Sequence, residues 1–254
     1  MRYLLLIVTF VVAIGLKLLN LSSFLQKPAL AINNLQNIRN TWQIAQTYIP
    51  PDRGAPKSTT TGGTRGVKCL LSPKQILPLL IPGNSIGLTL SEYPTFFVYI
   101  PPYKEAQTGE FFITDTNNND IYNNVFQLPE TSGIIKIKLP EQKAPPLAVG
   151  KKYIWGVQII CSNENYVFNT GFIERIEPNI SLINKLKNAR PLTLPTVYAS
   201  EGIWYDALES LVELRRLNLE NSQLINDWQE LFNSAKSQGK DLFMEAPLLE
   251  CCKL

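Results

Sequence analysis

PPLAVGKKYIWGVQIICSNENYVFNTGFIE (residues 145–174) holds two apolar runs split by the polar tetrad Ser162–Asn165. In the first run Tyr153, Trp155, Val157 and Ile159 fall at every second position. In a pleated strand all four stand on one face. A run of this kind is a half-buried strand, and Trp155, in phase with Tyr153 and Val157, belongs to a core. Gly150 ahead of it supplies the turn, and NYVFNTGFIERIE (165–177) reads as the strand that follows.

Outward from this pair the same pattern returns in IGLTLSE (86–92), TFFVYIPP (95–102), GEFFITD (109–115), NDIYNNVFQLP (119–129) and SGIIKIKLP (132–140). Pro101-Pro102, Asn117–Asp120, Gly133 and Gly150 separate the runs as turn signals. Seven short strands at this spacing suggest two packed antiparallel sheets. The order of a leucine, a glycine turn and a Tyr-x-Trp strand in 145–174 is similar to the E–F corner and F strand of fibronectin type III-like sandwiches.

Past Pro178 the period changes. Leu182, Ile183, Leu186 and Ala189 share one helical face. Trp204, Ala207, Leu208, Leu211 and Leu214 follow helical spacing, as do Leu224, Trp228, Leu231, Phe232 and Ala235. YASEGIWYDALESLVELRRLNLENSQLINDWQELFNSA (198–235) resembles tetratricopeptide helices, with Gly202 at the tight turn and Ala207 at the close packing position. It covers about one and a half repeats. The expected class is α+β, mainly β: a seven-stranded immunoglobulin/fibronectin III-like antiparallel β-sandwich, then a small tetratricopeptide-like helical hairpin module. The sandwich is expected over 69–178 and the helical module over 179–254.

The N-terminus reads as an export signal. Arg2 precedes an uncharged apolar run, Tyr3–Leu16, whose 14 residues fall short of the roughly 20 that span a bilayer. Lys17 ends the run, Pro28 breaks any helix beyond it and Ala29-Leu30-Ala31 is a small-x-small cleavage pattern, so residues 1–31 are read as a signal removed after Ala31. The segment 32–68 is then a polar lead and tether, and the protein is periplasmic or secreted, with no stable membrane insertion. Removing Arg2, Lys17 and Lys27 leaves 21 positive and 21 negative residues, a balance that argues against nucleic-acid binding.

Composition excludes much chemistry. The chain has no histidine, so it has no histidine general base, Ser-His or Cys-His pair, or histidine metal site. GAPKSTTTGGTRGVKC (54–69) lacks the Gly-Lys pair, preceding strand and following helix of a phosphate loop. It reads as a tether; as a recognition arm it would act through Arg53 and Arg65. Asp115–Asp120, DTNNND, starts like a calcium loop, but Asp120 and Phe126 stand where an EF-hand needs Gly and Glu. A polar hairpin turn is the better reading. Ser181 and Lys185 are four apart, not the three of a Ser-x-x-Lys nucleophile. Glu209, Glu213 and Glu230 read as isolated surface acids. No catalytic residue, metal or cofactor is expected.

Trp204 and Tyr205, about 100° apart on a helix, should divide between core and edge. Tyr205 with Trp228 would then help line a peptide groove. The four cysteines, Cys69, Cys161, Cys251 and Cys252, are expected to be oxidised after export. Cys161 ends the predicted F strand at one pole of the sandwich, within reach of the incoming tether. Pairing of Cys69 with Cys161 is the first expectation, and pairing of either with the C-terminal Cys251-Cys252 is the alternative.

The pieces PPDRGAP, GGTRG, GLTLSEYPTFFVYIPP, YIWGVQIIC, EGIWYDALESLVELRR and APLLECC, in this order from Pro50 to Cys252, together resemble the cyanobacterial family called domain of unknown function 928. The resemblance implies an exported cyanobacterial protein and carries over no catalytic or binding residues. The expected function is non-enzymatic: binding of another protein or of a cell-envelope component. An envelope carbohydrate hydrolase working through paired carboxylates is the alternative.

Overall fold

Alternation along 150–161 has the expected consequence. The computed structural model describes residues 47–52, 77–83, 85–104, 108–162, 165–218, 221–250 and 252. In it Tyr153, Trp155, Val157 and Ile159 are all buried, while Lys152 is exposed and Gln158 and Ile160 are half-buried. Each of the seven alternating segments contains a strand. These are β1 (Gly87–Thr89), β2 (Thr95–Ile100), β3 (Thr108–Asp115), β4 (Asp120–Gln127), β5 (Gly133–Lys138), β6 (Lys152–Ser162) and β7 (Asn165–Arg175).

The strands form two sheets, one ordered β1-β7-β6-β3-β4 and the other β2-β5-β8, where β8 is Leu248–Leu249. They share an aromatic core. Phe96 of β2 lies 5.1 Å from Phe111 of β3 and 4.6 Å from Trp155 of β6, ring centre to ring centre, in tilted contacts. Two pairings are parallel, β1 with β7 and β5 with β8, where an antiparallel arrangement was expected. Alternation records which face of a strand is buried and carries no information on strand direction. β8, two residues long, is too short to show any period.

Strands give way to helices between Arg175 and Ile180. The helices are α1 (Ile180–Asn188), α2 (Leu194–Ser200), α3 (Trp204–Leu217), α4 (Ser222–Ser234) and α5 (Lys240–Glu245), with a 3-10 turn at Pro191–Thr193. Asn179 caps α1 by accepting from the Leu182 N–H, and Asn221 caps α4 by accepting from Gln223 and Leu224. The apolar stripes of α3 and α4 are buried as their spacing requires, with only Leu214 left partly exposed. Gly202 ends α2 with φ +73°, and a Cβ there would stand 2.9 Å from the Ile49 carbonyl oxygen.

Helices and strands contribute to one hydrophobic cluster, and three indole N–H groups are satisfied across elements. Trp204 donates to the Leu80 carbonyl (2.9 Å), Trp228 to Phe243 (3.0 Å), and Trp155 to the Tyr205 hydroxyl (2.6 Å). The expected division of Trp204 and Tyr205 between core and edge does not hold, since both are buried. Trp204 packs on Tyr48 and Phe232, while Tyr205 reaches Phe96 and Trp155 between the sheets. The first turn of α3 meets apolar surface on two sides, so two adjacent residues can both be covered.

Candidate functional site

The outward face of β5 builds the site. Ile134, Lys136 and Lys138 alternate there, and their cross-strand partners on β2 are Tyr99, Phe97 and Thr95. A helix lies against this face through one stripe of α3, where Asp206, Glu209 and Glu213 recur at i, i+3 and i+7. Asp206 accepts from the Thr89 hydroxyl (2.8 Å) and the Leu90 N–H (3.1 Å), fastening α3 to the end of β1. Burial pushes its carboxyl up to about 6, against the lowering effect of those two hydrogen bonds. Glu209 accepts from the Thr95 hydroxyl (2.5 Å). Glu213 meets the Lys136 ammonium at 2.5 Å, and the same ammonium is 4.0 Å from Glu209.

Lys138 also approaches Glu209, at 3.6 Å, and Arg216 pairs with Glu213 (3.6 Å) and with Glu250 beyond β8. Between these charges lies a cavity of about 810 Å³. Its floor is apolar, made by Phe97, Ile134, Val212, Leu248 and Leu249, and Cys252 and Pro140 stand at its margin. The arrangement is an apolar groove rimmed by cations and carboxylates that neutralise one another. Both close carboxylates, Glu209 and Glu213, are paired with cations, Glu209 with Lys136 and Lys138 and Glu213 with Lys136 and Arg216.

Glu209 and Glu213, read from sequence as isolated surface acids, are therefore brought together by their contact with Lys136. Lys136 and Lys138 were legible as the outward half of IIKIKLP, and the acids as a helical stripe. That the two sets face each other depends on the packing of α3. The groove-lining role expected of Tyr205 and Trp228 does not hold, since both are buried. The Tyr205 hydroxyl is committed to Trp155 and Phe172. Trp228 is covered by the Arg215 guanidinium, 4.2 Å from its ring centre. Both rings serve packing, where a large buried aromatic surface contributes most.

DTNNND closes the β3–β4 hairpin. The Asp115 carboxylate accepts from the Asn117 and Asn119 N–H groups and the Asn119 amide, at 2.8, 3.0 and 2.9 Å. These contacts, the Asn119 amide foremost, hold it below the usual carboxylate range. Arg53, Arg65, Cys69 and Cys251 lie outside the described residues, as do most of the tether and the expected signal. Among the described residues no cysteine is a free thiol and no helix is long and apolar enough to cross a membrane.

Fold and site together define a protein with two β-sheets and several helices, carrying a groove on the outer face of the smaller sheet. The chain belongs to the family described as Domain of Unknown Function (DUF928), whose model matches residues 60–245. No curated protein matches it. Among solved structures it is similar to CopC from Methylosinus trichosporium OB3b, at 13% identity and a TM-score of 0.28, over 41% of this chain and 98% of that one. It is also similar to the fn3 domain of the human collagen alpha-1(XX) chain, at 11% identity and a TM-score of 0.24, over 46% and 94%. Likeness at this level carries no argument about function.

Proposed function

We propose that this is an exported, non-enzymatic binding protein whose groove over β2 and β5 takes an apolar segment of another protein or of a cell-envelope component. The observation that carries the reading is the groove's make-up: an apolar floor of Phe97, Ile134, Val212, Leu248 and Leu249 inside a rim whose charges are mutually paired. Concave, mainly apolar sites with a few oriented polar groups are the usual form of binding pockets. A photo-crosslinking residue at Lys138, on the rim, tests this in envelope preparations against the same residue at Lys152 on the other sheet. A product formed from position 138 and lost with Leu248→Asp supports the reading. Equal yields from the two positions overturn it.

The second reading, an envelope carbohydrate hydrolase, has in its favour the convergence of Glu209 and Glu213 on Lys136. Sugar release by the wild type that is lost in both Glu209→Gln and Glu213→Gln would establish it in place of the first.

The finer architecture is that of an immunoglobulin-like sandwich. Supporting it are the order β7-β6-β3-β4 opposite β2-β5 and a short first strand parallel to β7. α3 and α4 form the tetratricopeptide-like hairpin. Export places the mature N-terminus at Ile32 in a periplasmic or secreted cyanobacterial protein, which intact-mass measurement of the exported chain checks. Oxidised cysteines follow from export. The Cys69–Cys161 pairing rests on the position of Cys161 at the end of β6. Supporting the alternative, Cys252 Sγ lies 3.6 Å from the Gln127 carbonyl, and Gln127 and Ile160 both stand opposite Thr108. Peptide mapping under non-reducing conditions decides between the two.

A further inference from the structure

Strand edges expose unpaired N–H and C=O groups, and folded proteins cover or blunt them. Among the described residues three of the four sheet edges are managed in this way. β1 is three residues long, and Asp206 of α3 binds Thr89 and Leu90 at its end. The outer edge of β2 is covered by Leu77–Leu80. Leu80 donates to the Phe97 carbonyl and Tyr99 donates to Pro78, both at 3.0 Å. β8, the edge beyond β5, is only two residues long. The fourth edge, β4, is different: among the described residues it pairs with β3 alone, and Cys252 Sγ lies 3.6 Å from the Gln127 carbonyl at its end.

The devices against pairing on β4 sit at its Asp120 end, and at its centre the Asn124 side-chain amide donates to the Val125 carbonyl (3.2 Å). DIYNNVFQ has no lysine, arginine or proline, and its one charge, Asp120, stands at the far end. Val125 is 56% exposed. The register with β3 shifts between Ile113 and Thr114, so the regular part of β4 begins at Tyr122. With Gln127 already approached by Cys252, the free regular edge is Tyr122–Phe126, and its centre is Asn124.

We infer that this edge pairs with the same edge of a second copy of the chain, antiparallel, about a two-fold axis through Asn124. The strand meets its own requirements in that register. Asn123 falls opposite Val125 of the other copy, both exposed, and Tyr122 falls opposite Phe126, both on the core side. Residues on the same face meet only when the register is even in this way. No like charges oppose each other, because Asp120 falls beyond the paired stretch. The result is a ten-stranded sheet running across two molecules. A contact of one short strand is smaller than the roughly 1,200–2,000 Å² of a stable interface, so association should be weak. A dissociation constant on the order of 10–100 µM is expected, well short of a stable dimer.

Sedimentation velocity of the purified protein across concentrations from about 1 to about 500 µM tests the inference, with circular dichroism to verify the fold. Both test positions are exposed on the monomer, so substitutions there should leave it intact. The wild type should pass from monomer to dimer with rising concentration. Asn123→Lys with Val125→Lys places lysines opposite lysines and should stay monomeric throughout. Asn123→Lys with Val125→Glu places Lys opposite Glu on both sides of the axis and should recover the dimer in a salt-sensitive form. A wild type that is monomeric at every concentration overturns the inference. So does a Lys/Lys variant that dimerises like the wild type, or a Lys/Glu variant that behaves like Lys/Lys.

Discussion

Replacing Tyr205 with Phe should expose how strongly the helices and the sheets depend on each other. The Tyr205 hydroxyl accepts from the Trp155 indole at 2.6 Å and donates to the Phe172 carbonyl at 3.1 Å. Burial raises its phenol far above the usual range, so it remains a donor at any pH at which the protein is studied. The variant keeps the ring and its contacts with Phe96 and Trp155 and loses only the oxygen. A buried indole N–H without a partner costs about 1–3 kcal/mol. Taking about 2 kcal/mol, the melting temperature should fall by about 4–8 °C for a chain of this size. Urea unfolding followed by tryptophan fluorescence measures it, and a cycle with Trp155→Phe isolates the pair. The coupling should be about 1–2 kcal/mol, within a single transition. Coupling near zero, or two separate transitions of which Tyr205→Phe shifts only one, would refute the account of α3 as part of the sandwich core.

Trp155→Ala, at a position with no exposed surface, should cost about 3–5 kcal/mol in the same assay, and a loss below about 1 kcal/mol would contradict its central packing. Asp206 has a folded-state carboxyl at about 6 against 3.8 for the free group, so the protein gains a proton on folding between those values. Its contribution is fully present below about pH 4 and fades as pH rises to about 6, costing up to about 2–3 kcal/mol. Asp206→Asn should flatten stability across this window, and a wild type already flat there would count against the assignment. Gly202→Ala should destabilise by about 1–3 kcal/mol, from the positive φ and the contact with Ile49; a variant as stable as the wild type would show that the 47–52 segment does not pack there.

Periodicity is a local signal, which is why so much of the secondary structure was legible in the sequence. Alternation in 86–177 marked the seven strands, though β1, β2 and β5 are buried on both faces where half-buried strands were expected, and the spacing from Leu182 to Ala235 marked α1, α3 and α4 but not α2 or α5. The absence of histidine and the polar turn at Asp115–Asp120 limit the chemistry by residue type alone. What alternation cannot carry is direction or partnership between distant segments. The parallel pairings of β1 and β8, the wedging of Tyr205 between the sheets and the meeting of Lys136 with Glu209 and Glu213 all join residues far apart in the chain. Each depends on how α3 and the C-terminal strand settle against the sheets, an outcome set by the total apolar surface buried and by polar groups finding partners. The groove and the free edge of β4 arise at that level too, since a surface is defined by what the rest of the chain leaves uncovered.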